Sequence, residues 1–89
     1  MFEWDEIKSD RNLLIRGFDF EYASAVFDSD YLEAEDSRHD YREQRFIVIG
    51  RVEDAILVVV YTWRGENRRI VSARPANRKE RHAYRQAYP

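Results

Sequence analysis

The chain contains no cysteine, which removes a disulfide framework and thiolate metal ligation and favours a reducing compartment. Its two histidines, His39 and His82, stand 43 positions apart with no carboxylate partner that spacing identifies. Neither a metal-ligating pair nor a Ser-His-Asp set can be built from them. His39 lies among charges and reads as a solvated side chain with no role. There is no glycine-rich phosphate loop, no internal repeat and no low-complexity segment. The longest apolar run, residues 55–61, is seven residues and far too short to cross a bilayer. The opening Phe2-Glu3-Trp4-Asp5-Glu6 has the wrong charge for a signal peptide. These absences predict one cytoplasmic domain over residues 1–89, with no metal, no cofactor and no membrane partner.

What the chain does have is an uneven distribution of charge. Residues 1–54 hold seven Lys or Arg against fifteen Asp or Glu, a balance of −8; residues 55–89 hold eight against two, a balance of +6. Residues 64–88 concentrate the basic side chains around a short apolar core of Ile70, Val71 and Ala73, with tyrosines and alanines closing the run. Arginines interleaved with rings that can stack suit a polyanion with bases attached, RNA or DNA. The competing reading is a solvated arginine-rich helix neutralised by acidic residues elsewhere. Hydrophobic content of 44% with 15% aromatics is enough for a globular core.

Local signals predict an α+β fold: two N-terminal helices, an antiparallel sheet of three to four strands and a C-terminal helix. Residues 1–4 read as a short strand or a lead-in that pins the first helix, Asp5 is a candidate N-cap, and Ile7, Leu13 and Leu14 recur at helical spacing. Gly17 supplies the left-handed residue that commonly ends a helix. Asp19 caps again before an apolar stripe of Phe20, Ala23, Val26 and Phe27. Residues 31–35 read as a short edge strand followed by an exposed loop over 36–43. Residues 45–51 and 56–63 read as strands, the second covered on both faces, and residues 68–74 as the strand returning from a turn at Gly65-Glu66. By period two, residues 60, 62 and 64 share a face with 67, 69 and 71. Arg68, Ile70, Ser72 and Arg74 then look the other way with Tyr61 and Trp63. Pro75 and the capping-box pattern Asn77-x-x-Glu80 start the last helix. On it Arg78, Arg81 and Arg85 form one basic ridge, while Tyr84 and Tyr88, at helical spacing, read most simply as packing against the sheet.

One reaction runs on such residues. RNA carries its own nucleophile, the 2′-hydroxyl beside the scissile phosphate. An enzyme must orient it, stabilise the phosphoryl oxygens and move protons. Guanidinium suits the second task through its bidentate fork, and a tyrosine with its pKa lowered by arginines would suit the third.

Phe2-Glu3-Trp4-Asp5 followed by Lys8, Asn12, Gly17 and Phe20 resembles the opening of BrnT-type toxins. So do Thr62-x-Arg64-Gly65 and Ser72-Ala73-Arg74-x-Ala76 followed by Arg78, Glu80, Arg81 and Tyr84. Arg68 departs from similar sequences, which tend to carry an aliphatic residue there. The resemblance implies a RelE-like fold and a type II toxin–antitoxin system: a small ribonuclease that arrests translation, held by a BrnA-type antitoxin with a ribbon-helix-helix part. It further implies that the complex binds operator DNA. Carried to matching positions, it marks Arg64, Arg74, Arg78, Arg81 and Tyr84. The expected catalytic set is Arg64, Arg74, Arg81 and Tyr84, with Arg69, Arg78, Lys79 and Arg85 as RNA-binding residues. An antitoxin segment, acidic or rich in hydrogen-bond acceptors, is expected over the region from Arg74 to Tyr84; the competing view docks it on the acidic N-terminal helices, from which it would act at a distance. The alternative is a non-catalytic partner-binding or nucleic-acid-binding module with a toxin-like fold.

Overall fold

Capping chemistry sets the helix boundaries. A computed structural model of the protein describes residues 1–38 and 40–89; His39, expected to be a bystander, lies outside the described residues. In chain order the elements are β1 (Phe2–Trp4), α1 (Glu6–Arg16), α2 (Phe20–Ser24) running into a 3₁₀ turn (Ala25–Asp28), β2 (Tyr31–Glu35), β3 (Phe46–Val52), β4 (Ala55–Arg64), β5 (Asn67–Pro75) and α3 (Arg78–Ala87). Asp5 accepts from the amides of Ile7 at 2.9 Å and Lys8 at 3.3 Å. Gly17, at φ 85°, donates its amide to the Leu13 carbonyl and ends α1. Asp19 caps α2 through the Tyr22 amide. Asn77 and Glu80 exchange 2.8 Å hydrogen bonds, completing the capping box at α3.

The α+β class holds, but the sheet differs from expectation. Among the described residues five strands form one mixed sheet in the order β1-β5-β4-β3-β2. The expected all-antiparallel sheet of three to four strands is corrected by β1. This strand falls in the run read as a strand or a lead-in, and it lies parallel to β5, Phe2 opposite Arg68 and Trp4 opposite Ile70, a long-range pairing that three residues cannot announce by periodicity.

Two layers cover the sheet. On one face Phe20, Ala23 and Val26 pack against Val48, Val59, Tyr61, Ile70 and Ala73. The 3₁₀ turn comes so close to β3 that a Cβ on Gly50 would stand 2.7 Å from the Val26 Cβ. Arg68 is on this face, as the register predicts. Its guanidinium stands 4.3 Å from the Phe27 ring centroid and 4.8 Å from that of Trp63, so its stem fills the place of an aliphatic side chain. On the opposite face Tyr84 and Ala76 pack on Ile56 and Val58.

Helix α1 corrects a second expectation. Its aliphatic residues do not face the core: Ile7, Leu14 and Ile15 are exposed, and Ser9 is its buried residue. The Ser9 hydroxyl accepts from the Phe20 amide at 3.0 Å. The loop after β2 is not wholly exposed either, because Asp36 is buried.

Candidate nucleic-acid interface

A bulge in β5 assembles this face. Near the hairpin the register is the predicted one, Arg64 opposite Asn67 and Thr62 opposite Arg69. Between Val60 and Tyr61 it shifts: Tyr61 pairs with Ile70, but Val60 pairs with Ser72 and Val58 with Arg74. Val71 is the extra residue, and everything after it changes sides. The core shows the same shift, since Ile70 and Ala73, three apart, lie in one cluster. The expectation that Ser72 and Arg74 face away from Arg64 and Arg69 is therefore corrected. All four share the face on which α3 lies.

At the hairpin end of that face is a cavity of about 160 Å³. Four cations, Lys8, Arg45, Arg64 and Arg69, line it with two carboxylates, Asp5 and Glu43. Thr62 forms part of its floor and donates its hydroxyl to the Gln44 carbonyl at 2.6 Å, tying the loop to β4. Glu43 is 3.0 Å from Arg45 Nε and 3.6 Å from Arg64 Nη2. Arg69 is 3.2 Å from Glu3 at the sheet edge. Arg45 lies over the Tyr41 ring, 4.0 Å from its centroid, which leaves it little freedom to swing away.

The remaining candidates sit at the α3 end. Arg74 forks onto Glu80 with two 2.8 Å hydrogen bonds. That contact raises the Arg74 pKa and lowers the Glu80 carboxyl to about 2. Arg81 donates to the Ala76 carbonyl at 2.7 Å. Arg78, Lys79 and Arg85 are exposed. Tyr84 is buried, and its hydroxyl donates to the Asp30 carbonyl at 2.9 Å. Burial pushes its phenol up, the reverse of the lowered pKa that proton transfer asks for. The packing role read from its helical spacing is the one the structure gives it.

The predicted residues thus fall into two groups, Arg64 and Arg69 at the cavity and Arg74, Arg78, Lys79, Arg81, Arg85 and Tyr84 around α3. Sequence reasoning gave no role to Lys8, Arg45 and Glu43. Alternation through β3 would have found Arg45, which precedes Ile47 and Ile49 by even steps. Arg38 was missed as well. Buried Asp36 accepts its Nε at 2.8 Å, its Nη2 at 2.9 Å and the Tyr41 hydroxyl at 3.1 Å. These donors, Arg38 foremost, hold the Asp36 carboxyl well below the usual carboxylate range.

Among the described residues no three His, Asp or Glu side chains converge in a way that could hold a metal ion. No helix there is long and apolar enough to cross a membrane. A comparison with curated proteins finds no match. A family model does match, described as the ribonuclease toxin BrnT of type II toxin–antitoxin systems. Its span, residues 4–80, takes in the whole cationic cavity and stops short of Arg81, Tyr84 and Arg85. The chain belongs to the BrnT family of ribonuclease toxins, whose partner is a protein antitoxin.

Proposed function

We propose that this toxin is a metal-independent endoribonuclease that arrests translation by cutting RNA in the cytoplasm. The observation that carries the reading is the cavity where Lys8, Arg45, Arg64 and Arg69 converge beside Glu43. Arg64 and Arg69 take the scissile phosphoryl group, being forks fixed on a rigid hairpin rather than on a loop. Lys8 and Arg45 add charge where the pentavalent transition state gathers it. As Arg64 turns from Glu43 to the phosphate, Glu43 takes the 2′-hydroxyl proton. The 2′-oxygen bonds to phosphorus, and the bond to the 5′-oxygen breaks, that oxygen taking a proton from solvent. Asp5, the other carboxylate in the cavity, is committed to the α1 cap. Arg78, Lys79 and Arg85 hold the flanking backbone. Arg74 and Arg81 fix the start of α3 against the sheet and reach RNA only by leaving Glu80 and the Ala76 carbonyl. A BrnA-type antitoxin with a ribbon-helix-helix part silences the toxin and carries the complex to operator DNA.

The test is cleavage of a generic RNA in excess chelator, with the ends identified. Cleavage that persists and leaves 2′,3′-cyclic phosphate supports the reading. Loss of cleavage on chelation, restored by magnesium, overturns it in favour of a metal mechanism. The internal commitments of Arg74 and Tyr84 favour one alternative, a non-catalytic binding module. Intact RNA after induction without antitoxin, with RNA binding retained, would establish that alternative.

A further inference from the structure

We infer that the outward stripe of α1 is the anchor for the antitoxin, and that its occupant is an amphipathic helix with aliphatic residues around a carboxylate. Six large hydrophobic side chains are exposed among the described residues, and four of them, Ile7, Leu13, Leu14 and Ile15, belong to this one helix. At roughly 100° per residue, Ile7, Leu14 and Ile15 fall in one sector opposite buried Ser9. A helix that buries a serine and presents three aliphatics to solvent has its amphipathicity inverted, which its own domain does not explain. Concavities flank it on both sides. One of about 520 Å³ runs from Leu13 past Phe18 and Tyr22 to Pro75, and one of about 220 Å³ runs from Lys8 and Ile15 to Val71.

Charge selects the occupant. Arg11 is exposed in the same sector as Ile7, Leu14 and Ile15. Pairing α1 with its copy about a two-fold axis centred on the stripe would set Arg11 against Arg11 while matching Ile7 with Ile15. That like-charge contact disfavours a second copy and favours a partner with an acid at that point. The smaller concavity adjoins the cationic cavity, since Lys8 and Val71 line both. A segment seated on α1 can therefore extend acidic residues toward Arg64 and Arg69. This places the anchor on α1 rather than over the region from Arg74 to Tyr84. Only the inhibitory consequence rests on reading the cavity as the RNA site; the docking does not.

The experiment uses the toxin purified with its cognate antitoxin, and compares wild type with Leu14→Asp and with Ile7→Asp/Leu14→Asp. Both positions are exposed, so thermal unfolding of the free variants should match wild type, and so should their RNA cleavage. The complex should dissociate about 30- to 100-fold faster for Leu14→Asp, and faster again for the double variant. Amide exchange over residues 6–16 should slow in the wild-type complex. An unchanged dissociation rate, with α1 exchanging equally in free and bound toxin, overturns the proposal. A free toxin dimer that Leu14→Asp dissolves, with antitoxin release unchanged, overturns it in favour of a second copy. Absence of RNA cleavage by wild type would sink the catalytic reading alone, since the dissociation rates still decide the docking.

Discussion

Glu80 serves two structures at once: it closes the capping box of α3 and receives the fork of Arg74 from β5. Two substitutions separate these duties. Glu80→Gln keeps a side chain that suits the third position of a capping box but removes its charge; Glu80→Ala removes both. The folded pKa of about 2 lies below the ordinary 4.5, a displacement worth about 3 kcal/mol without screening. The Arg74 side chain is 38% exposed, so solvent reduces the pair to about 1 kcal/mol. Losing the cap adds about 1 kcal/mol. In a domain this small the expected loss of Tm is about 4–8 °C for Glu80→Gln and roughly twice that for Glu80→Ala. The sign with pH follows from the depressed pKa. The stabilisation is complete above the ordinary 4.5 and disappears as pH falls through the folded value near 2. Thermal unfolding from pH 7 to pH 2 should therefore show an acid limb in wild type that Glu80→Gln flattens. Equal Tm for wild type and Glu80→Gln at pH 7, with the same acid limb in both, would refute the linkage. If Arg74 also touches RNA, the Gln variant should bind RNA more tightly at low salt while being less stable.

Three other outcomes test separate parts of the structure. Arg64→Ala/Arg69→Ala should lower the slope of log RNA affinity against log salt by roughly 0.7 per lost phosphate contact, and an unchanged slope would move the RNA face elsewhere. Gly50→Ala forces a Cβ toward the Cβ and backbone oxygen of the fully buried Val26 and should cost about 1–3 kcal/mol in denaturant unfolding, a cost that Val26→Ala, which keeps that Cβ, should not relieve. Tyr84→Phe leaves the Asp30 carbonyl without its donor and should cost about 1 kcal/mol while cleavage stays near wild type. A hundredfold loss of cleavage there would restore the phenol to the chemistry.

Features carried by two to four neighbouring residues were legible in the sequence. Asp5, Asp19 and the Asn77–Glu80 box fix helix starts through bonds inside one turn, and the Gly65-Glu66 turn fixes the first pairs of the hairpin. The bulge was not legible, because Ile70, Val71 and Ala73 are all apolar and any of them could have been the extra residue. That single ambiguity decided the side on which Arg74 lies. Helix α1 misled because apolar spacing reports a stripe and not its direction; only the contact between Ser9 and Phe20 reveals which way it turns. The cavity escaped because Lys8, Glu43 and Arg64 come from three distant parts of the chain. Tyr84 illustrates the converse, since its helical spacing carried the correct information about packing.

The parallel pairing of β1 with β5 bears on how the toxin is made. Residues 2–4 leave the ribosome well ahead of their partners, residues 68–70, and the closing of so long a loop must await the far side. Until then β5 has no neighbour on that edge, and Arg69 lacks the Glu3 carboxylate that holds it at the cavity. The order of synthesis therefore acts as a delay: the residues of α1, α2 and β2 to β4 are all in hand by Arg64, while the cationic cavity waits for β5 and for β1 to close on it. An antitoxin that recognises α1 would find its anchor displayed during that interval, and could seize the toxin before the toxin is able to cut.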